Sequence, residues 1–521
     1  MGMAMQDDKL VSQQRSASVK PVSSFPKQAI VVIHGMGEQR PMDTIKGFVR
    51  SVWTTDTIIT ANRLPNPAEA WSKPDLRTGS LELRRITTRQ SIPTETFPCG
   101  VRSDFYELYW ADLSGGSTWS HVREWVVGLL LRNPFTRVPR GGMLAWIALW
   151  IVAILVIILA IATALPAGAS IGGFRPWEHI PLRWLSTMPG WALVMLMLLL
   201  GAVVHRFVVP YFGRVVRYTQ ATPDNIAARK NVRERGLKLL AELHQGEYER
   251  IIIVGHSLGS IVAYDLISYF WATRTASHSV NEGTAEFRAL CDLVRATESL
   301  VKSPTGARRE EVIEAYLTAQ TAFCRTLRKR KKPATGEADT RWLITDFITL
   351  GCPLTHAEFL LASSARDLEF RKEGREFPTS PPLRESLDPD VAVRAKEAAL
   401  PISDHAPCLF CFPFGTDNWQ LHHAAPYAAV RWTNIYDPAR LIFLGDLISG
   451  AVAPVFGPGV IDIDLRSLRG QSWHFTHTYY WSGAIEGLEP PRHVLELRRA
   501  LDLAGLKRLL QAFVSCTRAG R

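Results

Sequence analysis

The chain has 521 residues, longer than one ordinary domain, and its 47% hydrophobic content excludes a disordered protein. Its net charge of +11, from 60 Lys and Arg against 49 Asp and Glu, comes without any nucleic-acid-binding module. The arginines are scattered, many beside apolar segments, which points to a membrane and not to a nucleic acid.

Seven cysteines at irregular spacing argue against a disulfide framework and for a reducing compartment. Residues 1–27 are polar and lack an apolar core segment, so they read as a disordered tail and not as a signal peptide. From Gln28 the chain turns apolar. Ala29-Ile30-Val31-Val32-Ile33 shows no alternation, the mark of a strand buried on both faces, and it delivers His34-Gly35-Met36-Gly37-Glu38. A helix is expected over 44–54 and strands over 81–88 and 104–110, so residues 28–135 read as the first part of an α/β domain.

Residues 143–165 are 23 in number and carry no charge. At 1.5 Å per residue they would span about 34 Å, enough for a bilayer core. Residues 184–204 give a second uncharged stretch, interrupted by Pro189. Together they predict a transmembrane hairpin within 136–217. Arg123, Arg132, Arg137 and Arg140 precede it and Arg206, Arg214 and Arg217 follow it, whereas the loop between has only Arg175 and Arg183 beside Glu178. This asymmetry places both chain ends on the cytoplasmic side.

Residues 218–521 read as the second part of the α/β domain. A helix is expected over 224–243. The next stretch, Arg250 to Asp265, joins the β-branched run Ile251–Val254 to Gly255-His256-Ser257-Leu258-Gly259 and then to helix-spaced Ile261, Val262 and Leu266. This is a strand, a tight turn and a helix. In such an elbow, Gly255 and Gly259 are needed where the two backbones pass closely, and the serine is forced into a strained conformation that presents its hydroxyl. Gly168-Ala169-Ser170-Ile171-Gly172 also fits the glycine pattern, but it follows the long apolar run and precedes a loop, so its context rejects it.

Residues 276–342 read as a helical insertion ending in the basic cluster Arg328-Lys329-Arg330-Lys331-Lys332, and 346–353 as a further parallel strand. Residues 372–406 look like a surface excursion. Cys408 and Cys411 form a lone C-x-x-C with no second pair, better suited to packing than to zinc. Strands are expected over 430–436 and 460–465, and an amphipathic helix over 494–513.

A serine hydroxyl is a poor nucleophile without a histidine base, a carboxylate to orient that base, and donors for the developing oxyanion. His34-Gly35-Met36 after an early buried strand, the Gly255–Gly259 elbow after a later one, and Asp and His downstream resemble the α/β-hydrolase superfamily, in particular its lipase and esterase branches. The resemblance covers most of the chain outside the hairpin. It implies a mostly parallel central sheet with helices on both faces, interrupted here by the hairpin, and an oxyanion hole from the backbone N–H groups of Met36 and Leu258.

The triad order of that superfamily is Ser, then Asp or Glu, then His. Downstream histidines are His278, His356, His405, His422, His423, His474, His477 and His493; only His474 and His477 closely follow the last expected strand. His477-Thr478-Tyr479-Tyr480-Trp481 is similar to an ending of related hydrolases, which favours His477 as the base, with His474 as the alternative. Asp437 directly follows strand 430–436. Asp446 lies in a segment similar to the one carrying the acid in the family, but about nine residues beyond the strand end, so both stay open, with Asp446 taken first.

The resulting expectation is a membrane-anchored serine hydrolase of lipid or acyl esters, with Ser257, His477 and Asp446 as its triad and an acyl-enzyme intermediate. It needs no cofactor and no metal, and no nucleic acid is a partner; no motif identifies a protein partner. A non-catalytic membrane scaffold, and an acyltransferase or thioesterase with the same triad, are the alternatives.

Overall fold

The computed structural model describes residues 25–35, 40–80, 82–114, 126–128, 130–134, 143–164, 188–203, 215, 218–219, 223–302, 308–332, 339–438, 445–446, 448–467 and 477–506. Eight strands form its main sheet: β1 Lys27–Ile33, β2 Ala70–Pro74, β3 Arg84–Gln90, β4 Arg102–Leu108, β5 Tyr248–His256, β6 Ile344–Leu350, β7 Arg431–Tyr436 and β8 Ile461–Asp464. Across the sheet their order is β8-β7-β6-β5-β1-β4-β3-β2. Neighbours are parallel from β8 through β4, and β3 runs antiparallel to β4 and to β2. The fold is therefore α/β with a mostly parallel sheet.

Its centre is built from the apolar runs. In β1 the stretch Ala29–Ile33 and in β5 the stretch Ile251–Val254 are buried to within 1%, each large aliphatic side chain contributing about 1.5–3 kcal/mol relative to exposure. The strands on one side of β1 come before the long middle of the chain, and β5 and its successors fill the other side. The order thus reverses between β1 and β5, and the carboxyl ends of these two strands frame the crevice where open α/β sheets bind ligands.

The helices used below are α1 Asp43–Val49, α2 Met143–Ala164, α3 Gly190–Val203, α4 Pro223–Gln245, α5 Leu258–Thr273, α6 Ala285–Lys302 and α7 Arg308–Arg328. The helix expected over 44–54 starts as α1 and widens to π geometry over Arg50–Thr54. The cause is local: the Ser51 carbonyl is taken by the buried Arg498 guanidinium at 2.9 and 2.7 Å, and Thr55 N–H bonds back to Arg50 O. Arg498 belongs to the closing helix Arg492–Leu501. This helix stops short of the expected 494–513 because Asp502 takes a left-handed conformation, φ 42°; residues 507–513 lie outside the described ones.

In the expected insertion, α6 and α7 pack on each other beside a small antiparallel sheet of Ser279–Asn281, Cys411–Pro413 and Asn418–Leu421. The excursion over 372–406 contains the short helix Pro389–Glu397. Of the expected N-terminal tail, residues 1–24 lie outside the described residues, as does the rejected glycine pattern at 168–172.

In the region of the expected hairpin, α2 runs 22 residues. In the second expected span the described helix begins at Gly190, after Pro189, whose carbonyl accepts from the N–H groups of Ala192 and Leu193. Residues 184–187 and 204 are not among those described. Thus α3 has 14 residues, about 21 Å of rise. Taken over the described residues, no helix is long and apolar enough to cross a membrane. The two helices pack against each other.

Candidate active site

Because β5 is fixed in the middle of the sheet, the residue that leaves it is fixed too. Ser257 has φ 54° and ψ −129°, a conformation that costs a non-glycine residue about 1–3 kcal/mol. Its N–H donates to Leu350 O at 2.9 Å, and its carbonyl accepts from Ser260 N–H at 2.9 Å. The end of β6 and the first turn of α5 hold it from both sides. A Cβ on Gly255 would lie 2.6 Å from Ser260 Cα, and one on Gly259 would lie 2.3 Å from the Ile33 carbonyl oxygen. Only glycines let α5 approach β1 this closely. A Cβ on Gly35 would sit 2.7 Å from Ser257 Cβ, so the turn after β1 lies directly against the serine.

His34 holds that turn. Its Nδ1–H donates to Gly35 O at 2.8 Å, and its Nε2 accepts from Trp110 N–H at 3.2 Å. Trp110 Nε1–H returns a bond to His34 O at 2.9 Å, and the two rings stack 4° from parallel. With both ring nitrogens engaged, this histidine is neutral and positional. Leu258, the first residue of α5, has an N–H without an intrahelical acceptor at the positive end of the helix. Met36 lies outside the described residues.

Asp446 and His477 come from the far end of the chain. His477 Nδ1 donates to Asp446 Oδ2 at 2.8 Å, and Tyr480 OH donates to the same oxygen at 2.7 Å. Ile448 N–H donates to Asp446 Oδ1 at 3.0 Å. Burial pushes the Asp446 carboxyl upward, but the His477 charge and these three bonds outweigh it, and its pKa lies below the ordinary value. The buried carboxylate fixes the His477 tautomer, leaving Nε2 as the basic nitrogen.

Asp437, the alternative acid, is fully buried and meets the group through its backbone. Its carbonyl accepts from Asp446 N–H at 2.8 Å, and its N–H donates to Tyr480 OH at 3.4 Å. His474 lies outside the described residues. His278, His422 and His493 donate Nε2–H to the carbonyls of Trp271, Leu383 and Ser482. His356, held down to about 4 by burial, feels the Asp446 charge without a hydrogen bond to it.

Among the described residues, Ser257 Oγ and His477 Nε2 are each buried without a hydrogen-bond partner, so they are not bonded to each other. They border the same turn: Ser257 N–H is bonded to Leu350 O, and a Cβ on Gly351 would lie 3.1 Å from His477 Cε1 and 2.8 Å from Asp446 Oδ2. His256 links the two parts through a 2.9 Å bond from Nε2–H to His477 O, and burial pushes its pKa down to about 3. It is a neutral strut.

Three contributors escaped the sequence reading: Tyr480, Gly351 and His256. Tyr480 stood in the quoted His-x-x-Tyr-Trp segment, but nothing in that pattern said its hydroxyl would reach the acid. Among the described residues, no group of three or more His, Cys, Asp or Glu is placed to hold a metal ion. Burial pushes the Cys411 thiol up, away from the thiolate a metal would need. No protein-family model, curated protein or solved structure matches the chain.

Proposed function

We propose that this protein is a membrane-anchored serine hydrolase of the α/β-hydrolase kind, acting on lipid or other acyl esters. The observation that carries the reading is the strained, buried Ser257 with an unpaired hydroxyl, set at the same turn as a His477–Asp446 pair whose Nε2 is also unpaired. On this reading Ser257 Oγ attacks the ester carbonyl carbon and its proton passes to His477 Nε2. Asp446 stabilises the imidazolium, and the Leu258 N–H, with that of Met36, receives the oxyanion. Collapse expels the alcohol, which takes the proton from His477. Water then repeats the sequence on the acyl-enzyme and releases the acid.

The membrane part of the reading rests on α2 and α3. Their 22 and 14 residues contain no charge, and they expose Ile147, Ile151, Ile154, Trp191, Met195 and Leu199, among others. An apolar surface of this extent needs lipid or protein over it. With the basic flanks in the sequence, the reading puts both chain ends on the cytoplasmic side.

Labelling of the detergent-solubilised protein with a fluorophosphonate probe tests the nucleophile. Wild type should label, and Ser257→Ala and His477→Ala should not. Undiminished labelling of Ser257→Ala overturns the assignment, and no labelling of folded wild type favours a scaffold without catalysis.

A further inference from the structure

The opposite end of the sheet carries a second cavity, of about 340 Å³. Arg250 near the start of β5, Asp346 in β6 and Arg431 at the start of β7 line it. Arg325 and Arg328 from the last turns of α7 join them, with Asp502 from the turn after the closing helix. Four arginines thus face two aspartates.

The pairing inside the cavity is uneven. Arg431 takes Asp346 in a 2.5 Å ion pair. Arg250 is 8% exposed, and its held nitrogens go to neutral acceptors: Nε donates to Gln28 Oε1 at 2.7 Å and Nη2 to the Asp502 carbonyl at 2.7 Å. The Phe97 ring lies 5.7 Å below its guanidinium. Among the described residues, Arg250, Arg325 and Arg328 form no ion pair. A buried cation with no ion-pair partner is costly, and burial holds the Arg250 pKa below its ordinary value, with the Asp346 and Asp502 charges opposing the fall and the Arg328 and Arg431 charges adding to it. Cations at the end of α7 would favour its dipole without any ligand. That accounts for Arg325 and Arg328, but not for a buried Arg250 aimed at the same cavity.

We propose that this cavity is a binding site for a phosphoryl group, as free phosphate or a small phosphate monoester. A dianion matches the excess of two positive charges, and guanidinium forks pair with phosphate oxygens bidentately. The volume admits a headgroup or a small metabolite and not a whole phospholipid. The site lies across the sheet from Ser257 and does not depend on the hydrolase reading.

The test compares full-length wild type with the Arg325→Gln/Arg328→Gln double variant, whose changes lie at the cavity rim, and with Ser257→Ala as a control that leaves the cavity intact. Thermal unfolding is followed with inorganic phosphate and with sodium chloride at matched ionic strength. Phosphate, and not chloride, should raise the unfolding temperature of wild type and of Ser257→Ala. The double variant should bind phosphate at least about tenfold more weakly, the worth of one charge-assisted hydrogen bond. An equal response to chloride, or an unchanged response in the double variant, overturns the proposal.

Vesicles of phosphatidylcholine with and without phosphatidic acid separate the sources. Phosphatidic-acid-dependent binding that is lost in the double variant and displaced by phosphate identifies a lipid headgroup. Stabilisation by glycerol 3-phosphate, with vesicle binding equal in both proteins, identifies a soluble ester.

Discussion

The two ends of the central sheet are built on opposite electrostatic plans. At the carboxyl ends of β1 and β5, one buried carboxylate, Asp446, is satisfied three times over, while Ser257 Oγ and His477 Nε2 have no partner among the described residues. At the amino ends, the excess is cationic, and the buried Arg250 leans on an amide and a carbonyl. Each end also has a buried histidine pushed down to about 3: His256 at the first and His244 at the second. The sheet serves both as a rigid frame. What differs is which groups the packing leaves unsatisfied, a hydroxyl and an imidazole nitrogen at one end and a cation at the other.

The sharpest way to break this contrast is to remove the nucleophile. Ser257→Ala is expected to lower ester turnover by about 10⁶-fold, as loss of a triad serine does elsewhere, while the unfolding temperature stays level or rises because alanine removes an unpaired buried hydroxyl. Residual turnover near that of wild type in steady-state assays would overturn the role of Ser257. Next comes the acid. Asp446→Asn should cost about 10⁴-fold in kcat through loss of the correct His477 tautomer, and Asp437→Asn far less. The reverse order would move the acid to Asp437.

A third change tests the frame. Gly259→Ala forces a Cβ to within 2.3 Å of the Ile33 carbonyl and 2.5 Å of the His34 carbonyl. Both are backbone atoms that cannot swing aside, so a destabilisation of about 3 kcal/mol is expected, as for overpacking in a rigid core. Thermal unfolding within a degree of wild type would mean that α5 does not lie against β1 as described.

How far the sequence could see follows from the same residues. The elbow was legible because its parts are local: four β-branched residues, two glycines and a helical spacing sit next to one another. The placing of Asp446 beside the end of strand β7 was not, and the reason is geometric. Residues 438 and 446 form a parallel bridge, so the nine residues that separate Asp446 from the strand end vanish in space, and Asp446 N–H lies on the Asp437 carbonyl. No spacing rule shows that return. Strand β2 was missed because an edge strand reading Ala-Trp-Ser-Lys-Pro, half to fully exposed, carries no apolar run and ends in proline, as edges tolerate. The four arginines of the second cavity are spread over some 180 residues; the register of β5, β6 and β7 gathers Arg250 and Arg431, and the helix α7 brings Arg325 and Arg328 to them.

Acid should weaken both ends alike. His244 and His256 titrate near 3 when folded, against 6.5 as ordinary values, so below pH 6.5 the unfolded chain binds more protons than the folded one. Their contribution is complete above pH 6.5 and is lost as pH falls towards 3, at about 1.4 kcal/mol per pH unit for each histidine. His244→Gln should flatten the fall of unfolding temperature between pH 6 and pH 4 by the share of one histidine. An unchanged slope would show that His244 is protonated in the folded protein, contrary to its acceptance of the Leu343 N–H at Nε2.

The smallest expected effect separates positioning from chemistry at the Ser257 end. Tyr480 donates to Asp446 Oδ2 and receives Asp437 N–H and Ser449 Oγ–H. Tyr480→Phe keeps the ring and removes one bond to a charged group, worth about 1.5 kcal/mol or about tenfold. The loss should fall on kcat with KM unchanged, and the acid limb of the kcat–pH profile should move, because a less well-held carboxylate alters the basicity of His477. A loss in KM alone would mean that the hydroxyl faces substrate, and Tyr480 would then belong to the binding surface instead of the support behind the triad.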